Sequence, residues 1–250
     1  MIVALIGDVH ANLPALEAVL NHAQEQGVDA IWNVGDFVGY GPFPDEVVKR
    51  LRNDYVLSIV GNYDQKVLKF KKKRKKWRKK KRLEKYLAFK WAYRNLSKES
   101  RKYLRFLSRE IRMRVKGRRV LLTHATPGSS DEYLDADASE KRLRQLAQDA
   151  DADVIVCGHS HRPFVRQIDD VWFINPGCVG LPDDGAPRAS YAVLSIGHDQ
   201  ISVQHYRLDY DVERAIEAIR EHELPEAFAQ MLMVGRNLNT VLRDAEDYGL

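Results

Sequence analysis

The stretch Asp153-Val154-Ile155-Val156-Cys157-Gly158-His159-Ser160-His161 is a short apolar run that stops at a glycine and then presents two imidazoles. Asp153 to Cys157 reads as a buried strand. A strand ending there delivers His159 and His161 to one place at the carboxyl edge of a sheet. Neutral imidazole is the commonest side-chain metal ligand near pH 7, so the pair points to one metal or to two adjacent metals.

Outward from that stretch the same arrangement recurs. Residues 2–6 are a continuous β-prone run followed by Gly7-Asp8-Val9-His10-Ala11-Asn12. From Leu13 the spacing turns helical, with Leu13, Leu16, Val19 and Leu20 on one face. Asn12 is the N-cap, Pro14 sits in the first turn and Gly27 ends the helix. Asp8 and His10 therefore occupy a β-to-α turn, the edge where open α/β sheets bind ligands. Ala30 to Val34 is a second strand, followed by Gly35-Asp36 and a loop punctuated by glycine and proline that carries Tyr40. A helix follows over about 45–53. Val56 to Val60 is a third strand, leading into Gly61-Asn62-Tyr63-Asp64. Three such rounds predict βαβ units and a sheet with a parallel core.

In the second half, Arg118 to Thr123 is a strand leading to His124, and a helix starts near Ser139. After the strand 153–157, the runs Val171 to Ile174, Ala189 to Ile196 and Ile201 to Leu208 predict three strands in antiparallel succession. Asn175-Pro176-Gly177 lies between the first two. Helices over 211–222 and 225–247 close the chain. Residues 65–115 contain neither glycine nor proline. They predict two or three helices, over roughly 65–95 and 98–110, with Ser97 capping the second span, as a helical cap over the strand ends. The 250 residues read as one α/β domain carrying this insertion.

The hydrophobic fraction of 44% and charged fraction of 30% are those of a soluble globular chain. No apolar run approaches the ~20 residues of a membrane helix. The start lacks a basic segment and a cleavage site, so it reads as the first buried strand of a cytoplasmic protein. Cys157 and Cys178 are too few for a disulfide framework and read as reduced packing residues. The net charge of +5 comes from one place: from Lys66 to Lys85 the only acid is Glu84. Lys71 to Lys76 and Arg78 to Arg82 are cations on either side of Trp77. The run springs from the rim of the Asn62 turn. It reads as a phosphate-tracking arm using Lys71, Arg74 and Trp77, with Phe70 and Tyr86 as further stacking rings. RNA, single-stranded DNA or a polyphosphorylated nucleotide would bind along Lys66–Arg82. Anionic lipid is the competing partner. Nothing indicates an integral membrane protein, and self-association is compatible with the chain.

Collected in order, the strand-end residues are Asp8, His10, Asp36, Asn62, His124, His159 and His161. Two carboxylates, one amide and four imidazoles suit Mn2+, Fe, Zn2+ or Co2+. Seven donors are too many for one such ion and suit two that share a carboxylate. Ions ~3.5–4 Å apart polarise a phosphoryl group between them. His22, His198, His205 and His222 match no pattern of this kind.

The compound motif Asp-x-His, Gly-Asp, Gly-Asn, a later His and Gly-His-x-His resembles the signature of calcineurin-like metallophosphoesterases, over most of the chain from Asp8 to Gly180. Gly7 to Asn12 and Asn175-Pro176-Gly177 extend the match to the compact bacterial and archaeal phosphodiesterase branch. The resemblance implies a four-layer sandwich of two mixed β-sheets flanked by helices, with a dinuclear centre at the sheet edges. It assigns Asp8, His10 and His161 to one metal, Asn62, His124 and His159 to the other, and Asp36 to the bridge. Mn2+ is the leading expectation, with Fe, Zn2+, Co2+ or Ni2+ as alternatives. It implies a phosphodiesterase or phosphatase in which hydroxide held between the metals attacks phosphorus. Asp36, Asn62, Tyr63 and Asp64 form the expected catalytic set, and Asn12, Tyr40, Asn175 and Gly177 the expected substrate contacts. One position departs from the family. Tyr63 stands where the family usually has the histidine that protonates the leaving group, and a phenol with its ordinary pKa of ~10 is a poor acid at neutral pH. Two further readings follow: a dinucleoside polyphosphate hydrolase, and a non-catalytic metal-binding scaffold of the retromer-subunit type.

Overall fold

In the computed structural model, which describes residues 1–198 and 200–248, strand β1 (Ile2–Ile6) hands over to helix α1 (Leu13–Glu25) through the turn that carries Asp8 and His10. Asn12 Oδ1 accepts the Ala15 N–H at 3.2 Å and so starts the helix. The pattern repeats in β2 (Ala30–Asn33), α2 (Pro44–Asn53) and β3 (Leu57–Ser58). Four helices come next: α3 (Asn62–Leu68), α4 (Phe70–Lys80), α5 (Leu83–Asn95) and α6 (Lys98–Phe106). The second half runs β4 (Glu110–Val115), β5 (Arg118–Thr123), α7 (Glu140–Ala150), β6 (Val154–Val156), β7 (Phe164–Ile168) and β8 (Val171–Asn175). It closes with β9 (Ala189–Ile196), β10 (Ile201–Leu208), α8 (Val212–Glu221), α9 (Glu226–Val234) and α10 (Leu238–Tyr248).

The strands form two five-stranded sheets, ordered β10-β9-β1-β2-β3 and β4-β5-β6-β8-β7. Each has a parallel core, β1-β2-β3 in one and β5-β6-β8 in the other, with antiparallel strands outside it. Side-chain alternation builds the layers. Val3, Leu5, Trp32 and Val34 of the first sheet meet Val120, Leu122, Val154 and Val156 of the second in a buried core between them. The intervening Ala4 and Ile6 face the α1 and α2 side, whereas Leu121 and Ile155 face α7. The result is helix, sheet, sheet, helix, the sandwich that the motif implies.

Several expectations are corrected here. The insertion expected to hold two or three helices holds four, three of them, α3 to α5, up to Asn95. Lys81 is extended, which breaks the run after α4. The break lets α4 fold back, so that Phe70 lies 5.5 Å from Tyr86 and Trp77 lies 5.3 Å from Phe89, ring centre to ring centre. The helix predicted to reach 110 ends at Phe106, and Glu110 begins β4, paired antiparallel with β5 from Glu110–Thr123 to Val115–Arg118. Strand β7 was not anticipated. Strand β8 does not precede β9 in one antiparallel set, because β8 belongs to the second sheet and β9 to the first. The predicted helix over 225–247 is split at Gly235, whose φ of +59° ends α9. A Cβ at that position would lie 2.7 Å from the Ala186 backbone, so the close approach requires glycine.

Candidate metal centre

The donors sit on turns with unusual backbone. Asp8, His10, Asp36, His159 and His161 all have φ between +48° and +67°. Left-handed conformation costs a non-glycine residue roughly 1–2 kcal/mol, and such outliers concentrate at functional sites. The turns are packed backbone to backbone. The N–H groups of Asp8 and His10 donate to the carbonyls of Gly35 and Asp36. Glycine permits one further approach: a Cβ on Gly61 would lie 2.1 Å from Asp36 Oδ1.

The side chains converge. His10 Nε2 lies 3.9 Å from Asp8 Oδ1 and 3.8 Å from Asp36 Oδ2. His161 Nε2 is 3.5 Å from Asp8 Oδ1 and 3.2 Å from His10 Nε2. His124 Nε2 is 3.5 Å from Asp36 Oδ2. Asp8, His10 and His161 form one potential ligand group, and Asp8, Asp36 and His124 form a second. Asp8 thus touches both groups, as Asp36 was expected to do. Asn62 Nδ2 stands 3.4 Å from His159 Nδ1, and the His159 and His124 rings are 5.2 Å apart.

Four of the donors are oriented by their other polar atom. His124 Nδ1–H donates to the Val34 carbonyl at 2.8 Å, and His161 Nδ1–H to the Leu181 carbonyl at 2.7 Å, which turns both Nε2 atoms inward. Asp8 Oδ2 accepts the His159 N–H at 2.9 Å, and Asp36 Oδ1 accepts the Tyr63 N–H at 2.8 Å. Among the donor residues the buried atoms without a partner are Asp8 Oδ1, His10 Nδ1, Asn62 Oδ1 and His124 Nε2. Orphaned buried acceptors of this kind are costly. Asp8 and His124 belong to one ligand group with Asp36, and unpartnered atoms there fit a cation.

The electrostatics of the metal-free site agree. Burial pushes the Asp8 carboxyl up, but the charge and hydrogen bond of His161 together with the charge of His124 outweigh it and hold the group below its usual range. Asp36 is held well below the carboxylate range against its own burial, chiefly by His124. Burial opposes protonation of His124, yet Asp36 raises it to about 9. His161 is likewise raised despite burial, by Cys178 and Asp8. Burial lowers His10 to about 4 and also lowers His159. Without metal, two imidazolium groups therefore supply the positive charge that the carboxylates demand.

The remaining expected residues fall into separate roles. The Tyr63 ring stands edge-on to His10 at 5.3 Å, and its hydroxyl shares a 2.6 Å hydrogen bond with the Tyr40 hydroxyl. Burial raises Tyr40 to about 12 and lifts Tyr63 well above the ordinary phenol value, so both stay neutral donors near pH 7. Asp64 does not face the cleft. Its two carboxylate oxygens accept the N–H groups of Val38 and Gly61, at 3.1 and 3.0 Å, and tie those loops together. Asn12 is spent on Gly180, Tyr210 and Ala15. Asn175 is spent on Gly158, Ser160 and Gly177, where it braces the turn that carries His159. These three side chains and Gly177 shape the turns and offer no free polar group to a substrate. On α4, Lys71 and Arg74 are exposed, but Trp77 and Phe70 pack against α5, where Phe70 meets Tyr86 and Trp77 meets Phe89. The aromatic spacing that suggested base stacking serves internal packing.

The donors open into a cleft of about 180 Å3 lined by His10, Asp36, His159 and His161, with Tyr40, Tyr63, Tyr133, Lys85 and the α9–α10 residues Met231, Asn237 and Leu238. Three of the functional residues were missed from sequence. Asp131 accepts from Asn62 Nδ2 at 2.8 Å and from Lys66 at 3.0 Å, fixing the amide. Tyr133, 66% exposed, lays its ring 4.5 Å from His159. Lys85 reaches the cleft wall from α5. Asp131 and Tyr133 come from an irregular loop, and Lys85 is one cation among many, so no local signal marks them.

A sequence model described as the calcineurin-like phosphoesterase superfamily domain matches residues 1–222. An uncharacterized protein of Methanocaldococcus jannaschii is 34% identical over 94% of this chain and 98% of its own length. Phosphodiesterase YfcE of Escherichia coli is 27% identical over 78% of this chain and 87% of its own. The crystal structure of a metallophosphoesterase from Sphaerobacter thermophilus is similar with a TM-score of 0.76 at 31% identity, covering 94% of this chain and 100% of that one.

Proposed function

Because this chain belongs to the calcineurin-like phosphoesterase superfamily, we propose that it is a phosphoester hydrolase working with two divalent metal ions, manganese first among them. The observation that carries this reading is the convergence of Asp8, His10 and His161, and of Asp8, Asp36 and His124, into two adjoining ligand groups in which Asp8 Oδ1 and His124 Nε2 are buried and unpartnered. Asp8, His10 and His161 would hold one ion, Asn62, His124 and His159 the other, with Asp36 shared. When bound, the ions supply the charge that polarises a phosphoryl group and acidifies water.

The chain's own groups do the rest. Asp131 holds Asn62, and Val34 and Leu181 hold His124 and His161, so the donors are set before substrate arrives. The Tyr40–Tyr63 hydroxyl pair, on the cleft wall beside His10, donates a hydrogen bond to a phosphoryl or leaving-group oxygen. The exposed cations of α4 raise the local concentration of anionic substrates, which favours nucleotides or nucleic acid. The ring available to a base is Tyr133 on the cleft rim rather than the packed rings of α4 and α5. A cytoplasmic location is supported by the free buried thiols of Cys157 and Cys178 and by the absence, among the described residues, of a helix long and apolar enough to cross a membrane.

The test is turnover of bis(4-nitrophenyl) phosphate with Mn2+. Wild type should turn over. Asp36→Asn and His159→Ala should each lose about hundredfold or more, the scale of removing one preorganised electrostatic contact. Metal binding without any turnover would favour the scaffold reading.

A further inference from the structure

The cleft wall carries one half-buried cation without a counter-charge. Lys85 of α5 lines the same cavity as His10, Asp36, His159 and His161. Some partly shielded cations elsewhere are paired, Lys66 with Asp131 and Arg207 with Asp184, but Lys85 is the cation among the residues lining this cleft. Among the described residues, no carboxylate lies within ion-pair distance of Lys85. The cleft's other acids are committed. Asp8 and Asp36 face the imidazoles, and Asp183 accepts from the backbone and side chain of Asn237. The charges felt at Lys85 are those of Lys81, Lys66 and Arg82, and these, after burial, press its pKa down. A half-buried ammonium among like charges is stabilised by an anion delivered from outside.

Charge counting says how much anion. On the reading proposed above, two divalent ions bring four positive charges against the two carboxylates Asp8 and Asp36, and Lys85 adds one more. Counting the attacking hydroxide as well, a plain phosphodiester, with one negative charge, leaves half of that excess unmet. A pyrophosphate linkage carries at least two negative charges on adjacent phosphorus atoms. It can present one phosphoryl group to the donors and the next to the wall. The cleft volume of about 180 Å3 falls below the ~300–1,000 Å3 of sites that enclose a whole drug-sized ligand. The phosphates therefore sit inside and the organic substituents pass out over the rim at Tyr133.

Resting on the phosphoester-hydrolase reading, we propose that Lys85 is the specificity-determining residue of this cleft and selects substrates with a phosphoanhydride link, in which the phosphate next to the scissile one binds the Lys85 ammonium. In hydrolysis of such a P1,P2-disubstituted pyrophosphate, the oxygen of water bonds to one phosphorus and the bridging P–O bond breaks. The departing phosphate monoester keeps that electron pair. The two protons of water are shared between the two products and solvent. No strong acid is needed, because a phosphate leaves as a stable anion.

The experiment compares two matched aryl substrates with Mn2+: bis(4-nitrophenyl) phosphate and P1,P2-bis(4-nitrophenyl) pyrophosphate, the latter followed by phosphorus NMR. Wild type should favour the pyrophosphate in kcat/KM by about tenfold or more, the worth of one charge-assisted contact. Lys85→Met should erase that preference, with the loss in kcat/KM on the pyrophosphate about tenfold greater than on the diester and Lys85→Arg restoring part of it. Calorimetry of methylenediphosphonate binding to the metal-free protein supplies a readout apart from turnover. Lys85→Met should weaken that binding and leave methylphosphonate binding little changed. An equal loss on both substrates, or unchanged diphosphonate binding, overturns the assignment of Lys85. If wild type hydrolyses neither substrate, the hydrolase reading fails, and the calorimetry still decides whether Lys85 recognises the second phosphate.

Discussion

His124 and Asp36 face each other at 3.5 Å, Nε2 to Oδ2, across the junction of the two sheets. His124 follows β5 of the second sheet and Asp36 follows β2 of the first. The back of each side chain is anchored, His124 by the Val34 carbonyl and Asp36 by the Tyr63 N–H. The two sheets therefore bring together groups from distant parts of the chain, and binding a cation between them couples metal affinity to the fold itself.

That coupling predicts a stability effect. Mn2+ at 100 times its dissociation constant should stabilise the fold by about 2.7 kcal/mol. Thermal unfolding with Mn2+ and then with excess chelator should show a reversible fall in Tm for wild type. Asp36→Asn should show little or no metal-dependent shift. An unchanged wild-type Tm on chelation would count against a metal held between the sheets.

Tyr63 and Tyr40 share a 2.6 Å hydrogen bond at the cleft wall. Tyr63→Phe should slow hydrolysis of alkyl phosphodiesters, whose leaving group needs a donor, by about 10-fold or more, and should affect 4-nitrophenyl esters less. Rates across a series of leaving groups check this. Equal effects on both ends of the series would remove the hydroxyl from the chemistry.

Asn175 braces the histidine turn through Gly158, Ser160 and Gly177 while fully buried. Asn175→Ala should cost about 1–3 kcal/mol, because buried partners lose their hydrogen bonds. Urea unfolding measures the cost. Metal affinity should fall with it, since His159 and His161 lose their brace.

Asp45 ties α2 to the start of α6. It accepts the Ser97 N–H at 2.9 Å and pairs with Lys49 at 2.8 Å. Burial raises its pKa, but Lys49 and the Ser100 and Ser97 contacts outweigh it and lower the group from 3.8 to about 2. The unfolded chain then binds this proton more readily than the folded one. The stabilisation is full above pH 3.8 and is lost as pH falls through 2. Asp45→Asn should lower stability at pH 6 by about 1–2 kcal/mol and make the decline from pH 4 to pH 2 shallower. Denaturant titrations at those pH values test the slope.

The cations of α4 should act at a distance. Replacing Lys71, Lys72, Lys73 and Arg74 by glutamine should lower kcat/KM on short RNA or on nucleotides by up to about tenfold at low salt, and should flatten the salt dependence. Rates on a singly charged aryl diester should change little. Salt-insensitive wild-type rates on RNA would remove the arm from substrate capture.

The donors were legible because each closes a strand, and a strand end fixes where its residue lies. Gly35-Asp36 and Gly61-Asn62 announce themselves by an apolar run followed by a turn. Strand β4 was hidden for the opposite reason. Glu110 to Val115 follows 48 residues without glycine or proline, and its alternation of Ile111, Met113 and Val115 with Arg112 and Arg114 was absorbed into a helical reading. Phe70 and Trp77, seven residues apart, share a helix face, and only the fold shows that this face is covered by α5. Asp131, Tyr133 and Lys85 matter only through nearness to Asn62, His159 and the cleft, and nearness across the fold leaves no periodic trace.

The central claim is that two cations lie side by side among Asp8, His10, Asp36, Asn62, His124, His159 and His161. Anomalous diffraction from crystals grown with Mn2+ tests it directly. The account predicts two peaks about 3.5–4 Å apart with the Asp36 carboxylate reaching both. A single peak, or peaks away from Asp36 and His124, would contradict it.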